Sequence, residues 1–523
     1  MRAGWRENMY KDMFSVAGLT LLSRVTGFLR DVMLGAVLGA GLQADAFYVA
    51  FRLPNHFRAI FGEGAFNAAF VPSYARVLEQ AGADAARTFA SQIFTLLLAS
   101  QLILLALAWA FTPQLVALLA PGFEQEPEKF DLAVNLTRIT FPYLLFITLV
   151  TLHTGALNAQ RRFAVGAFAP VLLNLTMMAT LALAFLFPDA AYASAWGVTI
   201  SGVLQFIWLT WSAWRAGALG VVTRPHWTTD VQQFFKALAP AVIGSAGFQI
   251  AVFADTIIAS LLPTGAVSSI YYADRIYQLP IGVIGIAAGT VLLPEMSRRF
   301  AADNPGGAYH AQNRTRALTL ALAAPFFAAF LLIPVEIMRG VFMRGRFTDD
   351  AALASAHVLS AYGAGLLAVV LLNSVRAGFQ AQGDTKTPMT VSLIAIALNV
   401  ALKILLYKPM GASGLALATA IGAWINFGAL AFLALRRQLL RPDETLARVG
   451  IAVCAAFFAL CAVAWFGQAP AALAARAIGV FQTESSLAML AVAGCGVYAI
   501  VLLTLLRALG VRLARPRATA EKT

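Results

Sequence analysis

Charge is what this sequence has least of. Only 12% of its 523 residues are Asp, Glu, Lys or Arg, against 60% hydrophobic, and mean hydropathy is +0.75. Soluble domains carry about 25% charged residues, so a soluble globular chain is excluded and an integral membrane protein is indicated. Short alternating strands are also missing, which rules out a transmembrane barrel and leaves helices as the spanning element. The three cysteines, Cys454, Cys461 and Cys495, lie in late apolar segments, with neither a disulfide framework nor metal-ligand spacing. The five histidines form no ligand pairs, and no glycine-rich phosphate loop with Lys-Ser/Thr occurs. No metal, cofactor or ATP-driven pumping is expected, and no catalytic constellation stands out.

Long apolar runs are abundant. At about 20 apolar residues per span, roughly fourteen transmembrane helices are expected. They lie near 11–39, 43–62, 86–118, 132–158, 163–187, 192–216, 232–262, 266–300, 310–342, 352–381, 387–407, 412–437, 445–467 and 486–508. Residues 64–80 are expected as an amphipathic cytoplasmic helix. The first apolar segment is too long for a cleavable signal and lacks a small-residue cleavage pattern, so it is expected to remain as the first span. The formal charge of +13 does not point to nucleic acid, because the basic residues fall in alternate loops. Arg161 with Arg162, Arg298 with Arg299, and Arg436, Arg437 and Arg441 share one side, while Glu124, Glu126, Glu128 and Asp131 mark the other. That bias puts both termini in the cytoplasm. Arg339, Arg344 and Arg346 are the exception, on an expected outer loop beside Asp349 and Asp350.

The chain also repeats itself. Asp45-Ala46-Phe47-Tyr48 running to Phe51-Arg52-Leu53-Pro54 is echoed by Tyr271-Tyr272-Ala273-Asp274-Arg275 running to Tyr277-Gln278-Leu279-Pro280. Asn158-Ala159-Gln160 before Pro170 is echoed by Gln380-Ala381-Gln382 before Pro388. Six helices per copy give both copies the same orientation, and parallel repeats of this kind form two lobes with the substrate site between them. The expected division is an N-terminal six-helix lobe over 1–225, a second over 226–440, and an extra two-helix hairpin with a basic tail over 441–523.

The scarce charges concentrate where they cost most. An ionisable group near the bilayer centre costs roughly 2.5–3.5 kcal/mol on insertion scales and usually faces a cavity or substrate path. Ser23-Arg24-Val25-Thr26-Gly27-Phe28-Leu29-Arg30-Asp31 lies inside the first apolar run. Arg24 and Asp31 share a helix face, and Gly27 permits a bend that would bring Arg30 to the same cavity. Arg52 and Arg58 flank Pro54 on the second helix, and Arg275 follows Asp274 on the eighth. Arginine's planar fork grips phosphate oxygens bidentately and stays ionised at any working pH, so Arg24, Arg30 and Arg275 are candidates to hold a diphosphate. The structural alternative is an ion pair of Arg24 or Arg30 with Asp31. For Arg52 the alternative is snorkelling to an interface, and for Arg58 cytoplasmic anchoring. Asp45 and Glu63, at opposite ends of the second helix, are candidate gate acids, with a solvated loop acid as the alternative. Asp255 in the seventh helix and Lys403 in the eleventh are opposite intramembrane charges, expected as a salt bridge or an ion-coupling site. The nearly uncharged closing hairpin offers an apolar groove for a lipid tail, or a lipid-facing or oligomer-contact surface.

Four of these blocks carry a resemblance. Ser23 to Asp31, Asp45 to Asn55, Gly62-Glu63-Gly64-Ala65-Phe66 and Tyr271 to Arg275 closely resemble the MurJ/MviN family. These are lipid II flippases of the multidrug/oligosaccharidyl-lipid/polysaccharide exporter superfamily, and the likeness covers nearly the whole chain. It implies an all-α, fourteen-helix, two-lobed transporter in the bacterial cytoplasmic membrane. Its implied substrate is the undecaprenyl-diphosphate-linked peptidoglycan precursor, and its partners are membrane lipids and cell-wall synthesis proteins. The family's cavity arginines fall on Arg24, Arg30, Arg58 and Arg275, and its functional carboxylates on Asp31, Asp45 and Glu63. Its extra helix pair, a groove for the polyprenyl tail, fits the hairpin after Arg441. Some relatives resemble a sodium site, with which Asp255, Asn399 and Thr419 agree. Lys403, however, stands where a second acid would be, and a fixed ammonium would repel sodium. The rivals are a drug/cation antiporter, which needs an acidic or aromatic cavity, and a flippase for another polyprenyl-diphosphate oligosaccharide. A polytopic enzyme would need paired acids for Mg²⁺ in the inner loops, and a non-transporting scaffold has no use for buried arginines.

Overall fold

The computed structural model describes residues 2–62, 64–479 and 481–511, and among them every regular element is a helix. The first stretch holds α1 (Arg2–Leu38), α2 (Leu42–Gly62), α3 (Ala65–Ala110), α4 (Thr112–Leu119) and α5 (Pro127–Thr140). Next come α6 (Pro142–Ala159), α7 (Phe163–Ala182), α8 (Ala190–Arg215), α9 (Thr229–Ser260) and α10 (Ala266–Pro280). They are followed by α11 (Ile286–Ala301), α12 (Pro305–Leu332), α13 (Pro334–Phe342), α14 (Asp349–Gly363) and α15 (Leu366–Gln380). Last are α16 (Lys386–Arg436), α17 (Glu444–Phe466), α18 (Gln468–Ile478) and α19 (Gln482–Ala508).

Every segment expected to be helical is helical. Many of the breaks within or between them follow proline, whose missing N–H and fixed φ suit a first helical turn. Pro127, Pro142, Pro305 and Pro334 each open a helix. Glycines make the sharper turns. Gly82 (φ 85) interrupts α3 and Gly411 (φ 58) interrupts α16, both in the left-handed region that suits a residue without Cβ. At Gly82 the first part of α3 folds back on the second, so that Phe70 stacks on Phe89 at 5.8 Å. The helix α18 lies between the last two expected spans.

Among the described residues, nine helices are long and apolar enough to cross a membrane. Together they hold ten of the fourteen expected spans, because α16 contains two. The expected spans outside that set are α1, α2, α9 and the α10–α11 pair. These four carry Arg24, Arg30, Asp31, Asp45, Arg52, Arg58, Asp255, Asp274 and Arg275. On α1 and α2 those charges interrupt the apolar run.

Packing divides the chain into two compact units, Met1–Tyr271 with Met343–Ala351, and Tyr272–Phe342 with Ala352–Thr523. In the first, α7 packs on α1 and α8, and α3 packs on α6 and α9. Its buried centre is aromatic, with Phe66, Phe70, Tyr74 and Phe89 of α3 around Phe234 of α9. The segment from Met343 seats on the α1–α2 turn: the Arg346 backbone N–H donates to Ala36 O at 2.8 Å and its guanidinium to Gln43 at 3.1 Å. One basic residue of the exceptional outer loop is therefore used in packing. In the second unit α17 and α19 pair with each other and cover α12 through Val449, Val453, Leu460 and Tyr498. A π-helical turn, Ile281–Gly285, joins α10 to α11, and the Asn373 amide donates to the Gly285 carbonyl at 3.1 Å.

Candidate functional site

The charged stretch of α1 separates into a tied residue and a free one. Arg30 is 8% exposed and Asp31 3%. The Arg30 guanidinium donates twice to Asp31 Oδ1, from Nε at 3.0 Å and Nη2 at 2.7 Å, and its Nη1 donates to Asn174 Oδ1 at 2.9 Å. Asn174 on α7 is itself fixed to α1, donating to Ser23 O at 3.0 Å and Thr26 Oγ1 at 3.1 Å. Tyr271 on α10 donates its phenol to Asp31 at 3.1 Å and stacks on Tyr48 of α2, with ring centroids 3.8 Å apart. The ion-pair alternative thus holds for Arg30. Arg24 is different: it is exposed and makes no hydrogen bond or ion pair with any described residue.

Asp45, on the first turn of α2, is fully buried. Its carboxylate accepts the backbone N–H groups of Gly265 at 2.7 Å and Ser268 at 2.8 Å. It therefore caps the N-terminus of α10 from a distant part of the chain, where free N–H groups and the helix dipole favour a negative charge. Lys129, 1% exposed on its side chain, lies 3.4 Å from Asp45 and over the Phe123 ring at 4.3 Å. Lys129 also donates to Thr264 Oγ1 at 3.0 Å, and the Thr264 hydroxyl donates to Glu126 at 2.6 Å. That hydroxyl, with Lys129 beside it, holds the Glu126 carboxyl below its ordinary value. A cap, a buried ion pair and a hydroxyl bridge thus join α2, α5 and the start of α10.

The other candidates are distributed as follows. On α2, Arg52 is half-buried with its Nε unpartnered, and the Arg58 Nε donates to Asn55 at 3.2 Å. Glu63 lies outside the described residues. Asp255 on α9 is half-buried in the first unit. In the second unit Arg275 is half-buried, and Asp274 accepts a hydrogen bond from the Gln278 amide. Lys403 is 4% exposed on α16, Asn399 Oδ1 is buried without a hydrogen bond, and the Thr419 hydroxyl donates to Leu415 O at 3.1 Å.

Two central residues escaped sequence reasoning. Lys129 stands among the acids Glu124, Glu126, Glu128 and Asp131, where it reads as a solvated charge. Asn174 did carry a signal, as a lone amide in an otherwise apolar span, since side-chain amides there usually bond across helices.

The family profile and the sequence relatives agree on one family. The profile described as lipid II flippase MurJ matches residues 34–481. The chain is 41% identical over 426 residues to the probable lipid II flippase MurJ of Rhizobium meliloti (strain 1021), covering 80% of this chain and 79% of that one. It is 35% identical over 440 residues to the lipid II flippase MurJ of Burkholderia cenocepacia, covering 82% and 84%. Among solved structures it is similar in fold to a lipid II flippase MurJ in an inward closed conformation. That match has a TM-score of 0.79 and 24% identity, covering 94% of this chain and 99% of the other. An inward-facing multidrug resistance MATE family transporter of the MOP superfamily shares the fold at a TM-score of 0.65 and 14% identity, covering 82% and 98%.

Proposed function

The chain belongs to the MurJ lipid II flippase family, and from that premise we propose that it carries lipid II from the cytoplasmic to the outer leaflet by alternating access. The observation that carries this reading is Arg24, a permanent cation within α1 that its own acid does not neutralise. The nearby carboxylate, Asp31, is already engaged by two guanidinium hydrogen bonds from Arg30 and by the Tyr271 phenol. An uncompensated guanidinium in a membrane helix needs an anion, and a diphosphate offers oxygens matched to its fork. Arg24, Arg30, Arg58 and Arg275 are the proposed headgroup ligands, with Arg52 and Asp274 accessory. Asp31, Asp45 and Glu63 are the proposed functional acids. The division by sequence repeat, 1–225, 226–440 and 441–523, belongs to the same proposal, with the last segment guiding the polyprenyl tail.

We read the chain as a transporter and not an enzyme, in the bacterial inner membrane with both termini cytoplasmic. Lys403, where some relatives have an acid, argues against sodium as the coupling ion. Membrane potential is the better candidate, since moving one charge is worth about 2.3 kcal/mol per 100 mV. A drug/cation antiporter is disfavoured because Asp31 and Asp45 are both engaged by cations of the protein itself.

The test is flipping of lipid II by the full chain in sealed vesicles. Arg24→Glu should abolish translocation while leaving insertion and thermal stability unchanged. Normal flipping by that variant would overturn the anion-binding role of α1.

A further inference from the structure

A groove of about 450 Å³ lies on the first unit between α3, α5 and α8, lined by Trp109, Arg138, Ile139, Pro142, Trp196 and Thr199. Arg24, Arg30 and Arg58 do not line it. It opens on a surface made for lipid. On α8, Trp196, Ile200 and Leu204 are exposed at one-turn spacing, and on α3 Ile103 and Leu107 are exposed likewise, beside Leu102. Both helices are long and apolar enough to cross a bilayer.

Arg138 lines this apolar groove with its aliphatic stem; the residue is exposed and forms no ion pair with any described residue. Its backbone is fixed: the Trp109 indole N–H donates to Arg138 O at 3.0 Å, and the Thr199 hydroxyl donates to the next carbonyl, Ile139 O. The rings at its sides are half-exposed, Trp109 at 49% and Trp196 at 43%. Arg138 sits about 9 Å beyond residue 132, where the sequence places the start of this span, at 1.5 Å per residue. A guanidinium arm can reach from there to the headgroup level, where indoles are enriched. An arginine kept in hydrocarbon without an anion is strongly disfavoured.

We propose that this groove binds a membrane phospholipid with an anionic headgroup. Its phosphate accepts from the Arg138 guanidinium at the rim, and an acyl chain fills the groove between Trp109 and Trp196 and runs on along the apolar faces of α3 and α8. This site is independent of the one assigned to the flipped substrate.

The probe is brominated phosphatidylglycerol or brominated phosphatidylcholine in vesicles holding the full chain. Quenching assigned to the groove is the difference between the native chain and a Trp109→Phe/Trp196→Phe variant. Phosphatidylglycerol should be enriched there about fivefold, the ratio given by about 1 kcal/mol per basic residue near a membrane surface. Arg138→Gln should bring the ratio to parity, Arg138→Lys should keep most of it, and Arg162→Gln, at another exposed arginine, should leave it unchanged. Equal quenching by the two lipids in the native chain, or a phosphatidylglycerol preference surviving Arg138→Gln, would overturn the proposal.

Discussion

The two buried acids of the first unit are compensated from opposite directions. Asp31 takes a cation from the adjoining residue, Arg30, and accepts the Tyr271 phenol. Asp45 takes its cation from Lys129, on a different helix, and two backbone N–H groups from the start of α10. Asp45 and Lys129 match one another and both are covered, with Glu126 at the exposed rim. Around Asp31 the pair is matched but α1 as a whole is not, because Arg24 remains exposed two turns away. One region uses charge to fasten helices together, and the other keeps a cation in reserve for a ligand.

The sharpest way to break that contrast is Asp45→Ala. It takes the buried counterion from Lys129, leaving only the half-exposed Glu126 3.4 Å away, and reopens two N–H groups at a helix end. Removing one partner of a buried pair costs about 3–5 kcal/mol. Thermal unfolding in detergent should show this loss, and pairing Asp45→Ala with Lys129→Met should cost less than the two single changes added together. Arg24→Ala, on the exposed side of the comparison, should change stability by no more than about 0.5 kcal/mol. Equal losses from Asp45→Ala and Arg24→Ala would erase the distinction.

Tyr271→Phe is a smaller and finer test. It removes one hydrogen bond to a charged acceptor, worth about 1.5–3 kcal/mol, while Arg30 still holds Asp31. The loss should fall near the lower figure, because the carboxylate keeps its strongest partner and the Tyr48 ring contact survives. A loss as large as that of Asp45→Ala would mean that Asp31 is as dependent on α10 as Asp45 is.

The helices were legible because lipid-facing and buried positions are both apolar, so each span writes itself as a continuous run. The charged blocks were legible for the opposite reason, as interruptions of those runs. What the sequence left open was pairing. Arg24 and Asp31 share a helix face on paper, yet Asp31 is covered by Tyr271 and engaged by Arg30, contacts that depend on α7 and α10. Lys129 was hidden because burial of an outer-loop cation follows from the meeting of Phe123, Asp45 and Thr264, which are far apart in the chain. Asp45 stood out as an acid at a helix start, but that it caps α10 rather than its own helix is a tertiary fact.

The smallest effect separates the rim of the Asp45 region from its sealed centre. Glu126 is 43% exposed on its side chain, while Lys129 and Asp45 are covered. Its carboxyl is held below its ordinary value by the Thr264 hydroxyl and then by Lys129. A depressed folded-state value means that the charged form is favoured by folding. The stabilisation is therefore present above the unfolded-state value of about 4.3 and disappears as pH falls through the lower, folded-state value. Solvent screening keeps such an exposed pair to about 0–1 kcal/mol. Glu126→Gln should cost no more than that at neutral pH, and the difference from the native chain should vanish on acidification through this range. Unfolding midpoints of the two proteins measured from pH 7 down to pH 3 would show it. A pH-independent difference would assign the Glu126–Thr264 contact to shape alone, leaving the charge matching of this region to Asp45 and Lys129.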